Sequence, residues 1–267
     1  MKRFITFFLV ISIAFVGTSF AAHAQQTNAA PRAASFSAVL DRFGEVLVGS
    51  ARTYLRIEDA ELSILAPPVP LINRYNLLDR HYRPERMVNI SNYVRTTRSP
   101  LYLEENAANA YIKMAASMQE DGIIGMAAVS GFRDWDHQSR IHNAEVDRQS
   151  RQFPREEARR RAQTIVAPPG ASEHQSGLAV DVSSAEIGFS LSSRFENTAS
   201  FRWLSENAHT YGFIIRYPRD SMEITGVIFE PWHLRYVGVD HATRMFESGI
   251  LTLEEYLESY MIGAWSE

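Results

Sequence analysis

The apolar positions change period along the chain, and each period predicts an element. Leu103, Ala107, Tyr111, Met114 and Met118 recur at helical spacing, so Leu103 to Asp121 reads as a helix with Gly122 placed to cap it. The apolar run Ile123 to Val129 is short enough for a buried strand and delivers Ser130-Gly131-Phe132-Arg133 at its end. A helix is expected from Asp134 to about Gln152. A second well-patterned helix runs from Ser200 to Tyr211, with Phe201, Leu204 and Ala208 on one face and Gly212 after it. Leu178 to Val182, Phe213 to Tyr217 and Gly226 to Phe229 read as strands, and Val239 to Gly249 and Leu253 to Tyr260 as terminal helices. Helices with a few short strands predict an α+β domain: a small, mainly antiparallel sheet flanked by helices.

Upstream, Val39, Leu40, Phe43, Val46, Leu47 and Leu55 fall roughly at helical spacing, though Gly44 and Gly49 weaken the pattern. Pro67, Pro68 and Pro70 then stop any helix. The expected organisation is a leader over residues 1–24, a linker and helical segment over 25–66, and the main domain over 67–262. The leader is a secretory signal: Lys2 and Arg3, an apolar run from Phe4 to about Val16, and Ala22-His23-Ala24 as a small-x-small cleavage site. Gly17, Thr18 and Ser19 cut that run short of a ~20-residue membrane span. The mature chain is therefore expected outside the cytoplasm, periplasmic or extracellular and associated with the cell wall, with no membrane span.

Composition narrows the chemistry. The chain has 267 residues, 45% hydrophobic and 22% charged, enough for one sizeable core. Its net charge of −4 argues against a nucleic-acid or anionic-membrane partner. Cysteine is absent, so disulfides and thiolate ligands are excluded and any zinc must sit on nitrogen and oxygen. An arginine-rich block (Arg148, Arg151, Arg155, Arg159, Arg160, Arg161) alternates with Glu156 and Glu157, which reads as a solvated helix face.

Two stretches carry candidate chemistry. His174 and Asp181 lie in Ser172-Glu173-His174-Gln175-Ser176-Gly177-Leu178-Ala179-Val180-Asp181, too far apart for a helical pair. They meet only if the chain turns at Gly177 and Asp181 points back from a strand. Glu230-Pro231-Trp232-His233 supplies a second imidazole. Pro231 holds Glu230 extended, so this pair approaches from a strand or turn. Alone, each histidine reads as a hydrogen-bonded structural residue and the aspartate as a turn residue. Together, two imidazoles, one carboxylate and a spare glutamate make the ligand set of a catalytic zinc site with one open position. His142, His209 and His241 have no carboxylate at ligand spacing.

These residues also resemble a family. Ser172-x-His174-x-x-Gly177-x-Ala179-x-Asp181 followed by Glu230-x-x-His233 is similar to the signature of the zinc D-alanyl-D-alanine carboxypeptidases of the vancomycin-resistance type, in a wider class with D-alanyl-D-alanine dipeptidases and hedgehog N-terminal domains. Leu71-Ile72-Asn73, Tyr82-x-Pro84, Ser130 to Arg133, Gln138, Glu206 to Pro218 and Glu230 to Gly238 extend the likeness over about Leu71 to Glu258. The resemblance implies that fold, Zn²⁺ held by His174, Asp181 and His233, and Glu230 as general base and acid. It also implies Arg133 as oxyanion stabiliser, Ser172 and Gln138 as substrate or supporting groups, and peptidoglycan stem peptides as partner. D,D- or L,D-carboxypeptidase, dipeptidase and endopeptidase action all fit this class. A wall-binding module without catalysis predicts loss of Glu230 or a ligand, whereas all four residues are present. Trp232 is expected to pack behind the ligand histidine, and Asp136 and His137 to lie on a helix surface.

Overall fold

A computed structural model describes residues 69–263. The expected leader and the segment 25–66 lie outside them. The apolar stripe at Ala107, Tyr111, Met114 and Met118 is buried on helix α1 (Glu105–Glu120), which starts where the Glu104 carboxylate accepts the Asn106 and Ala107 amides at 2.9 and 3.1 Å. Leu103 belongs to the preceding short strand β2 (Tyr102–Glu104), which pairs antiparallel with β1 (Met87–Asn89).

The main sheet has the order β3-β4-β6-β5, formed by β3 (Met126–Ser130), β4 (Ala179–Ser184), β5 (Phe213–Tyr217) and β6 (Glu230–Tyr236), all antiparallel. Strand alternation gives it two different faces. Val180, Val182, Phe213 and Leu234 pack on Leu103, Tyr111, Met114 and Leu204 in the principal core. The intervening Asp181, His233 and Arg235 point the other way, and all three are buried. Helix α4 (Ala199–Asn207) closes the principal core. Helices α6 (Val239–Ser248) and α7 (Leu253–Gly263) cover Ile214 and Val237 in a second cluster.

Helices α2 (Trp135–Gln149) and α3 (Arg155–Ala162) follow β3, and α2 is capped by the Asp134 carboxylate on the His137 amide at 2.8 Å. The arginine-rich block behaves as a solvated face: exposed Arg160 and Arg161 pair with Glu157, and Arg148 with Glu145, contacts worth little individually. The expected strand at Gly226 to Phe229 is absent. A one-turn helix, α5 (Met222–Thr225), ends there with Gly226 at φ 75°, and the chain runs as a loop until β6 begins at Glu230. Its apolar residues are explained by a cavity wall rather than by strand pairing: Val227 and Ile228 line the site described below.

Gly177 closes the 3₁₀ turn Glu173–Ser176 at φ 72°, and a β-carbon there would sit 2.9 Å from the Glu104 amide and 3.1 Å from Pro84. The expected turn at this glycine is therefore present, and it aims His174 back toward β4. Gly177→Ala should lower stability by about 1–3 kcal/mol from left-handed strain, with the close approach to Glu104 adding to it. A urea midpoint unchanged from wild type would show that this turn is not a constraint.

Candidate metal centre

His174, Asp181 and His233 converge. Their donor atoms all lie within 4.8 Å of one another, and all three residues are buried. Each comes from a different local structure: His174 from the 3₁₀ turn, Asp181 from β4, His233 from β6. Asp181 and His233 are direct cross-strand partners, so backbone pairing alone brings their side chains together. A shift of register between Ala128 and Ser130, where β3 meets Asp181, lies beside the site, as bulges often do.

The donor set fits a divalent ion. Asp181 Oδ2 lies 3.2 Å from His174 Nε2, and Asp181 Oδ1 lies 3.1 Å from His233 Nδ1. Donors about 2.0–2.1 Å from a tetrahedral zinc stand ~3.3 Å apart. His174 Nε2 is buried with no hydrogen-bond partner among the described residues, a costly arrangement unless something else satisfies it. The far ring nitrogens are held as metal-binding histidines require. His174 Nδ1 is 2.7 Å from the Gly131 carbonyl, which can only accept, so Nδ1 carries the proton and Nε2 presents its lone pair. His233 Nε2 is 3.3 Å from Glu173 Oε2.

Burial, reinforced by Arg133, lowers the His174 pKa to about 4 and keeps the ring neutral. Burial also opposes charge on His233, but hydrogen bonds to Asp181 and Glu173 outweigh it and raise its pKa to about 9, so a metal at Nδ1 must displace a proton. Asp181 resists its own burial penalty through His174 and His233 and stays well below the carboxylate range. Glu230 differs: burial, with Asp181 and Glu173 adding to it, raises its carboxyl to about 8 against the pull of His233 and Arg133. One carboxyl that ionises readily and one that resists, side by side, suit a ligand and a proton carrier respectively.

Glu230 Oε2 stands 3.8 Å from His233 Nδ1, beside the donor set. Arg133 donates from Nε to Gln138 Oε1 at 3.0 Å and from Nη1 to Ser130 Oγ at 2.9 Å and Asp181 Oδ2 at 3.3 Å. Gln138 donates in turn to the Ala167 carbonyl at 2.7 Å, so both ends of its amide are engaged. The structure places Gln138 behind Arg133 rather than on the cavity wall. Ser172 is on that wall, in a cavity of about 440 Å³ lined also by Arg133, Tyr217, Glu230 and the apolar Ile141, Ile165 and Ile228. Trp232 lines the same cavity, half-buried, while packing partly on the principal core. Asp136 is on the helix surface as expected, paired with Arg80, and His137 is half-buried.

Two site residues escaped the sequence reading. Tyr217 lies with its ring 4.9 Å from that of His233. Glu173 is buried against Arg216 and Arg235. Its one sequence signal is a carboxylate next to a candidate ligand; its partners are 43 and 62 residues away. His142, His209 and His241 stay outside the centre: His142 bonds the Val166 carbonyl, His209 stacks on Phe246 and His241 meets Tyr256.

Comparison with known proteins identifies relatives. The profile of the VanY family, described as D-alanyl-D-alanine carboxypeptidase, matches residues 100–239. A putative carboxypeptidase, YodJ of Bacillus subtilis, is 40% identical over 190 residues, covering 70% of this chain and 66% of its own. The chain spans less than two thirds of the length of the first three curated relatives it matches. The solved LdcB LD-carboxypeptidase is 40% identical with a TM-score of 0.63, covering 70% of this chain and 84% of its own. A vancomycin-resistance D,D-pentapeptidase, VanY, solved in complex with Zn(II), is 34% identical with a TM-score of 0.58, covering 72% of this chain and 99% of its own.

The protein should carry one zinc per chain by elemental analysis. With free zinc 100-fold above Kd, the ion should contribute about 2.7 kcal/mol of stability, so a chelator should lower the melting temperature. Asp181→Ala should lose both the bound zinc and the chelator-dependent shift. Stoichiometric zinc in that variant would remove Asp181 from the ligand set.

Proposed function

Because the chain belongs to the VanY family of D-alanyl-D-alanine carboxypeptidases, we propose that it is an exported zinc carboxypeptidase that removes the terminal D-alanine of peptidoglycan stem peptides. The observation that carries this reading is the convergence of His174, Asp181 and His233 with Glu230 beside them, opening on a cavity of about 440 Å³. Export is supported by the leader pattern of residues 1–24, since this substrate lies outside the cytoplasmic membrane. No helix among the described residues is long and apolar enough to cross a membrane.

The three ligands present two imidazole nitrogens and one carboxylate, a donor set suited to zinc with a position left for water. Zinc, when bound, supplies Lewis acidity that acidifies water and polarises a carbonyl. Glu230, with its proton affinity raised by burial, takes the proton of the attacking water and returns it to the departing D-alanine amine. Arg133 stays charged and is held by Gln138, Ser130 and Asp181. It donates to the carbonyl oxygen as negative charge develops there. Ser172 on the cavity wall is placed to contact the peptide. Ile141, Ile165 and Ile228 form an apolar wall that fits alanyl methyl groups and excludes water from the reacting bond.

L,D-carboxypeptidase action on tetrapeptides is the second reading, favoured by the likeness to LdcB. Product analysis separates the two. Release of D-alanine from a stem pentapeptide, with the tetrapeptide and free D-alanyl-D-alanine left intact, is the expected result. Cleavage of the tetrapeptide alone would replace it with the second reading. Glu230→Ala should retain zinc while kcat falls about 10²–10⁴-fold; surviving turnover would remove Glu230 from the role of base. Arg133→Ala should lower kcat by about 10²–10³-fold in a protein that still binds zinc.

A further inference from the structure

Among the described residues Arg216 and Arg235 are the two largest side chains wholly out of solvent, and both converge on one carboxylate oxygen. Arg216 Nε and Arg235 Nη1 donate to Glu173 Oε1 at 2.8 and 2.6 Å. The other two guanidinium nitrogens of each arginine are also engaged. Arg216 grips Glu254 of α7 bidentately at 2.8 and 2.7 Å, and Arg235 reaches the Pro70 and Tyr236 carbonyls. Among the described residues Glu173 Oε2 is thereby left with one hydrogen-bond partner, His233 Nε2 at 3.3 Å. The clamp draws on residues beyond the family match, since Glu254 lies outside residues 100–239.

An ionised carboxylate can only accept. A Glu173 held ionised by two guanidiniums therefore keeps the proton on His233 Nε2, so the proton a metal displaces is the one on Nδ1, at the side of the ring where Asp181 lies 3.1 Å away. We propose that Glu173, fixed by Arg216 and Arg235, is a positioning residue that sets the His233 tautomer and orientation and so the affinity of the centre for its metal. This rests on the metal-centre reading above.

Glu173→Gln makes a sharp test. The variant is nearly isosteric, and its amide oxygen must face the two arginines. Its NH₂ then points at His233 Nε2 and favours the opposite tautomer, with the proton on the metal-facing nitrogen. The full chain, stripped by a chelator, is titrated with Zn²⁺ against a chromophoric competitor. Folded Glu173→Gln protein should bind zinc about 10–100-fold more weakly than wild type. Long-range ¹H–¹⁵N spectra should show His233 protonated at Nε2 in the zinc-loaded wild type and at Nδ1 in the zinc-free variant, with His142 unchanged. Zinc affinity within twofold of wild type in a folded variant overturns the proposal. So does a zinc-loaded wild type with His233 bound through Nε2, a measurement that stands even where the variant fails to fold. A wild-type chain that takes up no zinc overturns the metal-centre reading instead.

Discussion

The pairing of β4 with β6 places Asp181 opposite His233, and the centre depends on that register. Opposed residues on one face of an antiparallel pair have β-carbons about 4.5–5.5 Å apart, close enough for an aspartate and an imidazole to share a point. A slip of one residue would send Val180 or Val182 to the polar face and the ligand to the apolar one. Val180, Val182 and Leu234 lie in the principal core at 0% exposure, so the hydrophobic effect that folds the sheet also enforces the register that assembles the donors. His174 then needs only a short connection, and the left-handed turn at Gly177 provides it.

The polar face is expensive. Arg216, Arg235, Glu173, His233 and Asp181 are all buried there, and desolvating charges in a core often costs as much as their attraction returns. The balance is kept by pairing: two guanidiniums meet two carboxylates, and each of their nitrogens donates a hydrogen bond. Among the described residues His174 Nε2, in the donor set, is buried without a partner, as are Gln175 Oε1 and Ser200 Oγ outside it.

Much of this was legible in the sequence wherever one local period decided the outcome. The stripe on α1, the turn at Gly177 and the extended Glu230 each rest on residues adjacent in the chain or on one helix face. The Ser172-to-Asp181 and Glu230-to-His233 stretches marked the donors for the same reason. Gly226 to Phe229 failed because a short apolar run is equally suited to a buried strand or a cavity wall, and only the fold shows which surface it covers. Glu173 and Tyr217 were not legible. Glu173 acquires its role from Arg216 and Arg235, and Tyr217 from its contact with His233, all of them long-range. Gln138 was recognised as belonging to the site, but its place behind Arg133 depends on the Ala167 carbonyl.

The separation of Glu230 from His233 carries a further constraint. In a regular strand, residues three apart point to opposite faces, yet Glu230 Oε2 lies 3.8 Å from His233 Nδ1. The register explains this. Ile215 pairs with Leu234 while Tyr217 pairs with Glu230, so β6 holds two more residues than β5 across the same interval. Pro231 lies in that interval, where a residue without an amide proton costs the ladder least. The irregularity breaks the alternation and brings Glu230 onto the cavity beside His233. It also accounts for Tyr217, which lines the cavity although Arg216, its neighbour, reaches the same side of the sheet. A helical histidine-glutamate arrangement achieves such proximity through its 3.6-residue period. Here a proline-bearing bulge between two strands does so, and it keeps Glu230 near His233 while leaving the His174, Asp181 and His233 donor set to itself.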